Sequence, residues 1–401
     1  MHNLALALSD VGHEISGSDD VIFEPSKSRL EAAGLLPVQM GWHLEHITTA
    51  LEAVVLGMHA KKDNPELLKA QELGLHIYSY PEFLYEHAKS KTRVVIGGSH
   101  GKTTITAMIL HVMRYHDRPL DYMVGAQLDG FDRMVQLTEE NDFILLEGDE
   151  YLSSPIDSQS KFLHYKPHIA LLSGISWDHI NVFPTFESYK APFEAFIDSI
   201  VPGGSLTYNA EDPELEAMVL AAPNAIRKIA YETPDFDIVN GQSVLDTEEG
   251  DLPLEVFGKH NLNNLAGAKW ICQHMGIDAL DFYEAISSFK GASKRLELVA
   301  KNATSAIYKD FAHAPSKVKA TTAAVKEQFP DRKLVVILEL HTYSSLDPAF
   351  LNQYQGSLEA ADQAVVFYEP AVLAIKNRAP IAAGLIKEAF AAPALQIQTE
   401  V

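Results

Sequence analysis

Short apolar runs alternate with amphipathic stretches along nearly the whole chain of 401 residues. The apolar runs are typical of strands buried on both faces, and the amphipathic stretches are typical of the helices that cover such strands. This alternation predicts an α/β protein with parallel sheets and helices on both faces. The chain is too long for one compact core, so we expect more than one domain.

The first segment, residues 1–90, is predicted to form a Rossmann-like domain. We expect helices over residues 2–11 and 65–73, and strands over residues 14–16 and 53–56. The first of these strands ends in the turn sequence Gly17-Ser18-Asp19-Asp20. Because the chain enters this βαβ pattern at a helix, we interpret the first segment as a truncated domain that lacks its first strand and glycine-rich turn.

The central segment, residues 91–292, is predicted to hold a parallel or mixed sheet, with strands at 93–97, 143–146 and 169–173 and a helix that begins at Lys102. The third segment, residues 293–401, is predicted to be a second Rossmann-like domain. Its expected strands are 306–308, 334–338 and 364–367, and its expected helices are 316–329, 348–361 and 382–390. So few strands predict a truncated sheet at this end of the chain too.

Composition and charge narrow the function. Apolar residues make up 47% and charged residues 21%, as in ordinary globular proteins. The net charge of −22 disfavours binding to nucleic acid or to anionic membranes, and no apolar run is long enough to span a bilayer. Cys272 is the only cysteine, so neither an intrachain disulfide nor a cysteine zinc site can form. We expect a cytoplasmic protein that is a monomer or a homodimer.

The strongest chemical signal is Gly98-Ser99-His100-Gly101-Lys102-Thr103-Thr104, between a predicted strand and a predicted helix. A glycine turn at a helix N-terminus supplies the converging N–H donors that phosphate oxygens need. In such a P-loop Lys102 reaches the β- and γ-phosphates, and the Thr103 hydroxyl binds Mg²⁺. Ile96 stands where the general pattern has its first glycine, so this loop is a shortened variant. An ordinary glycine turn is the less favoured interpretation.

Two polar sequences follow the next buried strands, at the same edge of the sheet. Leu145-Leu146-Glu147-Gly148-Asp149-Glu150 closes one strand, and Trp177-Asp178-His179 follows the other. Carboxylates at the carboxyl ends of parallel strands face the ligand crevice, and Mg²⁺ prefers hard oxygen ligands. We therefore expect Glu147 to bind Mg²⁺, with His179 binding the metal or orienting a carboxylate. Taken alone, each sequence could equally be a solvated loop.

Two further clusters are informative only together. One is Gly258-Lys259-His260-Asn261-Leu262-Asn263-Asn264, before an alanine-rich helix. The other combines Lys294-Arg295-Leu296-Glu297 with Asp310-Phe311-Ala312-His313-Ala314-Pro315. Asparagine side chains can bind an adenine edge, and arginine can bind phosphate. Each cluster alone is better explained as a helix cap, a charged linker or a turn after a strand.

Taken in order, these motifs resemble those of the Mur ligase family, which builds the peptide of peptidoglycan. Residues 98–104 resemble its Gly-Thr-x-Gly-Lys-Thr-Thr loop, and residues 260–264 resemble its His-Asn-x-x-Asn adenine motif. Arg295 and residues 310–315 resemble the start of its third domain. The resemblance implies three α/β domains and a ligase that uses ATP and Mg²⁺. Its partners would be UDP-N-acetylmuramate and a peptide or amino-acid acceptor.

The resemblance also implies roles for individual residues. The expected ATP-binding residues are Gly98, Ser99, His100, Gly101, Lys102, Thr103, Thr104, His260, Asn261, Asn264, Arg295 and Asp310. The expected catalytic residues are Lys102, His179, Asp310 and His313, and the expected Mg²⁺ ligands are Thr103, Glu147 and His179. The expected UDP-sugar contacts are Ser18, Asp19 and His59. Some relatives carry a carbamylated lysine, and Lys190 is a candidate for that position.

Two branches of the family are the nearest by resemblance. One joins L-alanine to UDP-N-acetylmuramate, and the other, the muropeptide ligases, joins L-Ala-γ-D-Glu-meso-diaminopimelate to the same sugar nucleotide. The long insertion after the acidic strand, residues 150–167, favours the muropeptide ligases, as does the sequence of residues 339–345. The spacing from Glu147 to His179 also favours them. Where the family has Asp-Asp before Ala-His-His-Pro, Lys309 and Ala314 depart from its pattern.

Three other functions remain open from the sequence. The first is the L-alanine ligase activity of the other branch. The second is a nucleotide-binding protein without ligase activity, which would bind ATP without substrate-dependent turnover. The third is an unrelated P-loop ATPase or kinase, which the motifs of the third segment disfavour.

Overall fold

The computed structural model describes residues 1–375, 379–392 and 394–399. The first segment contains helices α1 (His2–Asp10), α2 (Ser26–Ala32), α3 (Pro65–Glu72) and α4 (Tyr80–Ala88). Its strands β1 (Val54–Leu56) and β2 (Ile77–Ser79) pair in parallel. The predicted strand at residues 14–16 is wrong, because these residues lie outside any ladder. Nearby, only the isolated bridge between Asp19 and Gly41 pairs backbone groups in a strand-like way.

The central segment is built on a seven-stranded sheet. Its elements are β3 (Thr92–Gly97), α5 (Lys102–Tyr115), β4 (Asp121–Met123), β5 (Val135–Gln136), β6 (Phe143–Glu147), β7 (Leu152–Ser154), β8 (Asp157–Ser160), β9 (Ile169–Leu172), α6 (Phe186–Ser199), β10 (Ser205–Asn209), α7 (Pro213–Ala221) and β11 (Arg227–Tyr231). The order across the sheet is β11-β10-β9-β3-β6-β4-β5. All neighbours are parallel except β4 and β5, so the predicted mixed sheet is confirmed.

Burial explains why the three central strands could be recognised from sequence. Val94, Val95 and Ile96 of β3 have no solvent exposure, and neither do the middle residues of β6 and β9. Strands covered on both faces need apolar side chains at every position. Helix α5 covers one face, with Ile105 and Met108 among its fully buried residues. The hairpin of β7 and β8 follows the acidic end of β6 and pairs only within itself among the described residues.

The central segment ends with a small antiparallel sheet and two helices. These elements are β12 (Phe236–Val239), β13 (Gln242–Thr247), β14 (Gly250–Pro253), α8 (Lys259–His274) and α9 (Ala279–Ile286). Helix α8 packs against α5 and crosses the sheet at Gly267, where a Cβ would lie 2.9 Å from Leu171 Cδ1. This close approach sets the start of α8 beside the P-loop.

The third segment contains a hairpin and a separate parallel sheet. Its elements are β15 (Glu297–Lys301), β16 (Ala306–Lys309), α10 (Pro315–Gln328), β17 (Val335–Glu339), β18 (Gln363–Phe367), α11 (Pro370–Ile375), α12 (Ala383–Phe390) and β19 (Leu395–Gln398). Strands β17, β18 and β19 pair in parallel. The expected strand at 306–308 exists, but it pairs in antiparallel fashion with β15 rather than with that sheet.

The predicted helix at residues 348–361 is wrong. Only a 3-10 turn forms there, over Leu351–Tyr354. Its buried side chains Phe350, Leu351, Tyr354 and Leu358 have spacings that suit a helix, which explains the prediction. Gly356 has a φ of 73°, however, and a right-handed helix cannot continue through that conformation. None of the helices in the described ranges combines the length and apolar character needed to cross a membrane.

Candidate active site

The loop between β3 and α5 has the backbone geometry of a phosphate-binding turn. Gly101 caps α5 with a φ of 74°, and a Cβ at this position would overlap the side chain of Asn264. Gly98 has a φ of 122°, and its Cβ would lie 2.9 Å from the backbone nitrogen of Ser173. Both positions therefore require glycine for conformation and for space. The loop directs the N-terminus of α5 into a cavity of about 660 Å³.

Lys102 begins α5 and is held by a carboxylate from the acidic strand end. Its Nζ lies 2.7 Å from Glu150 Oε2. The other oxygen of Glu150 accepts a hydrogen bond of 2.8 Å from the Tyr189 hydroxyl and lies 3.7 Å from His179 Nε2. Burial lowers the pKa of Lys102, but Glu150 and Asp149 outweigh it, so the pKa is raised above its usual value. Lys102 thus stays protonated at neutral pH.

Thr103 and Glu147 form the part of the site that suits a magnesium ion. The Thr103 hydroxyl donates to Glu147 Oε1 at 2.8 Å, and the Gly125 amide donates to Glu147 Oε2 at 3.0 Å. His179 lies beside Glu150 rather than beside Glu147. In the described ranges, no group of three or more His, Cys, Asp or Glu side chains is arranged to hold a metal. The hydroxyl and carboxylate nevertheless fit Mg²⁺, which takes few protein ligands alongside phosphate and water oxygens.

The asparagine cluster at the start of α8 lines the same cavity. Asn261 donates to the carbonyl of Phe257 at 2.9 Å, and Asn264 contacts the P-loop at Gly101. Asn263, which sequence reasoning did not select, donates to Asn209 Oδ1 and to Thr233 Oγ1, both at 3.2 Å. Burial lowers the pKa of His260, which keeps the imidazole neutral. The asparagines and His260 therefore present uncharged polar groups to the cavity.

Residues of the third segment form the opposite wall of the cavity. Arg295, Asp310 and His313 all line it. Asp310 accepts hydrogen bonds from the Leu296 amide at 2.7 Å and from the Ala312 amide at 2.6 Å, so it fixes the turn after β16. The Arg295 guanidinium lies over the Phe311 ring at 5.0 Å. Burial, followed by the nearby Lys317, lowers the pKa of His313 to about 4.

The first turn of α10 touches the P-loop directly. Ser316 Oγ lies 2.6 Å from His100 Nε2 and 3.0 Å from Ser176 Oγ. Lys317, the next residue, lines the cavity as well. Ser316, Lys317 and Tyr189 were not predicted from sequence, because their contacts join residues that are far apart in the chain. Lys317 could have been noticed as a cation that directly follows the turn at residues 310–315.

The residues expected to contact a UDP-sugar lie elsewhere. Ser18, Asp19 and His59 do not line the cavity. The Ser18 hydroxyl donates to Glu66 Oε1 at 2.7 Å, Asp19 pairs with Gly41, and His59 is exposed. Their role therefore stays a prediction.

Lys190 also lies outside the cavity. Its Nζ is 3.1 Å from Glu214 Oε2, and this hydrogen bond raises the pKa of Lys190. A protonated lysine does not react with carbon dioxide, so this ion pair disfavours carbamylation.

Comparisons with known proteins agree with this architecture. The family model "Mur ligase family, catalytic domain" matches residues 1–92, and "Mur ligase middle domain" matches residues 96–272. The UDP-N-acetylmuramate–L-alanine ligase of Caldicellulosiruptor bescii is 30% identical over 385 residues, covering 91% of this chain and 80% of the relative.

Solved structures share the whole fold at lower identity. The murein peptide ligase Mpl of Psychrobacter arcticus aligns with a TM-score of 0.68 at 23% identity, covering 100% of this chain and 88% of that one. The UDP-N-acetylmuramate–alanine ligase MurC of Thermotoga maritima aligns with a TM-score of 0.70 at 19% identity, covering 100% and 92%.

The fold and the site together define an ATP-dependent ligase, in which a P-loop faces a further α/β segment across one cavity. The chain belongs to the Mur ligase family, whose members form amide bonds. The expected fold class is confirmed by its structural neighbours.

Proposed function

We propose that this ligase joins L-Ala-γ-D-Glu-meso-diaminopimelate to UDP-N-acetylmuramate in the recycling of peptidoglycan in the cytoplasm. The observation that carries the proposal is the single cavity lined by the P-loop, by Glu147 and Glu150, and by the turn at residues 310–315. A nucleotide, a carboxylate and an amine must meet in one such space for an amide bond to form from ATP.

The first step activates the sugar carboxylate. A carboxylate oxygen of UDP-N-acetylmuramate attacks the γ-phosphorus of ATP, the bond to the β,γ-bridging oxygen breaks, and ADP leaves with its electron pair. The product is an acyl phosphate. Lys102 and the amides at the start of α5 stabilise the charge that spreads over the phosphoryl oxygens. His260, Asn261 and Asn264 hold the adenine end, and Arg295 contacts the phosphates or the junction with the third segment.

The second step forms the amide. The amine of the acceptor attacks the acyl carbon, loses a proton, and the tetrahedral intermediate expels inorganic phosphate. His313, which lines the cavity with a neutral imidazole, is the proposed acceptor of that proton. Asp310 orients the turn that carries His313, since it accepts two backbone N–H groups there. Ser18, Asp19 and His59 are proposed to contact the sugar nucleotide.

Mg²⁺ is the proposed metal, and Thr103 and Glu147 would hold it; His179, the third ligand proposed from the sequence, lies beside Glu150. When bound, it neutralises phosphate charge during transfer. The hydroxyl-to-carboxylate hydrogen bond of 2.8 Å already brings the two oxygen ligands together at the mouth of the P-loop.

The proposed acceptor is the tripeptide, and L-alanine is the alternative. The insertion that follows the acidic strand favours the tripeptide by resemblance to the muropeptide ligases, and it forms the hairpin of β7 and β8 directly after Glu150, which lines the cavity. Tyr151 of this insertion lies against His179, with ring centroids 5.0 Å apart. L-alanine is the second candidate, because curated relatives that are 30% and 29% identical to this chain are named as L-alanine ligases.

Phosphate release from ATP tests the proposal. We expect release to require UDP-N-acetylmuramate and to be much faster with the tripeptide than with L-alanine. Faster phosphate release with L-alanine than with the tripeptide would instead assign the chain to the L-alanine ligases. Release without any sugar nucleotide would contradict a ligase reaction altogether. The matched control is Lys102→Met, which removes the P-loop ammonium and should abolish turnover with every acceptor.

A further inference from the structure

Lys317 lies where the third segment meets the P-loop. It is the third residue of α10, and its neighbour Ser316 bonds to His100 and to Ser176. Lys317 lines the same cavity as Lys102 and Arg295. Cations from two different segments, Lys102 and Lys259 from one and Arg295 and Lys317 from the other, thus line this cavity together with several carboxylates.

The ammonium of Lys317 differs from that of Lys102 in having no partner. Within residues 1–375, 379–392 and 394–399, it makes neither a hydrogen bond nor an ion pair. The first turn of a helix carries partial positive charge, so a lysine is unfavourable there. Burial lowers the pKa of Lys317; the nearby Asp178 and Glu150 oppose this shift, and repulsion from Lys102 and Arg295 adds to it. A multiply charged anion beside Lys317 offsets these costs.

We infer that Lys317 binds the phosphoryl group that ATP transfers, on the side opposite Lys102. This inference rests on the proposed function, because it requires that the P-loop holds the phosphates of ATP. The lysine of a P-loop reaches the β- and γ-phosphates, so an anion that contacts both ammonium groups is the terminal phosphoryl group. Since α10 belongs to the third segment, Lys317 connects the binding of a triphosphate to the docking of that segment.

Calorimetric titration of nucleotides tests the role of Lys317. In Lys317→Met, the Kd for the β,γ-imido analogue of ATP should rise about tenfold or more, whereas the Kd for ADP changes less than about threefold. Lys317→Arg should retain most of the affinity for the analogue. Lys319→Met removes an exposed lysine from the same helix and should match the wild type for both nucleotides.

Equal weakening of both nucleotides, or weakening of neither, would overturn the inference. A second measurement needs no variant: acetic anhydride modifies accessible lysines, and mass spectrometry reports the extent at Lys317. The ATP analogue should protect Lys317, whereas ADP should not; equal modification with both nucleotides contradicts the inference. Neither assay contains acceptor or sugar nucleotide, so the result is independent of which amine the ligase uses.

Discussion

His100 is a P-loop residue that also contacts the third segment. Its Nε2 lies 2.6 Å from Ser316 Oγ, and its Nδ1 is buried without a partner among the described residues. Burial, followed by the charge of Lys317, lowers the pKa of His100 to about 3. The fold therefore holds this imidazole in its neutral form throughout the physiological range.

The depressed pKa of His100 makes stability depend on pH. In the unfolded chain the imidazole of His100 has its ordinary pKa of ~6.5. Between about pH 6.5 and about pH 3, the unfolded state therefore binds more protons at this residue than the native state does. The contribution of the neutral His100 to the free energy of unfolding is fully present above pH ~6.5, and it falls as the pH decreases through this window. From about pH 7 to about pH 5, the loss should be about 2 kcal/mol.

Urea titrations of the wild type and of His100→Gln at these two pH values measure this contribution. The variant should lose less free energy of unfolding on acidification, by about the same 2 kcal/mol. His46→Gln changes an exposed histidine and should behave as the wild type. An unchanged pH dependence in His100→Gln would show that other groups cause the acid sensitivity.

At the scale of elements, the sequence predicted those that can be recognised from a continuous run of buried residues or from a continuous motif. The strands at 93–97, 143–146 and 169–173 were found because the side chains in the middle of each run are all apolar and buried. The strands β12 to β16 were missed or misplaced, because they are partly exposed and have mixed side chains. The P-loop was found from its continuous motif. The Lys102–Glu150 pair was not, because its members are 48 residues apart and meet only through the sheet.

The packing of α8 on the sheet predicts the effect of a larger side chain at Gly267. A Cβ there would lie 2.9 Å from Leu171 and 3.0 Å from Tyr231, both of which are buried. We expect Gly267→Val to destabilise the central segment by about 1–3 kcal/mol, because close-packed cores accommodate added atoms only by distortion. Thermal unfolding measures this change.

Gln273→Val is the matched control, since it places the same β-branched residue on a less buried position of the same helix. Its melting temperature should lie well above that of Gly267→Val. If the two variants melt together, helix propensity rather than packing against the sheet explains the loss.

At the scale of the whole molecule, the third segment docks on the central segment through polar and aromatic contacts. Ser316 bonds to Ser176 and His100, Ser344 Oγ lies 3.5 Å from Asp178 Oδ1, and Gln328 donates to the carbonyl of Gly241 at 2.6 Å. Aromatic rings also meet across this interface: Trp177 lies against Phe350, and Phe257 lies against Tyr308 and Phe329. Because substrates must enter and leave the shared cavity, we expect the two segments to separate during each catalytic cycle.

A disulfide across this interface tests the requirement for movement. Ser176 Oγ and Ser316 Oγ are 3.0 Å apart, so cysteines at both positions should be within reach of a disulfide bond. The native Cys272 is buried and should not interfere. We expect the oxidised Ser176→Cys, Ser316→Cys double variant to turn over at least about tenfold more slowly than after reduction.

Phosphate release before and after treatment with dithiothreitol measures the difference. The single variant Ser176→Cys should be insensitive to the reductant. Equal rates for the oxidised and reduced double variant would mean that the segments need not separate during the cycle.

Before any nucleotide binds, the ammonium group of Lys102 is paired with the carboxylate of Glu150. A phosphate ligand must therefore displace Glu150 from Lys102. A triphosphate carries more negative charge than a monophosphate, so it should do this better. Competition with this carboxylate should disfavour weakly charged nucleotides without a steric barrier. Selectivity for ATP thus begins with competition from a carboxylate of the protein itself.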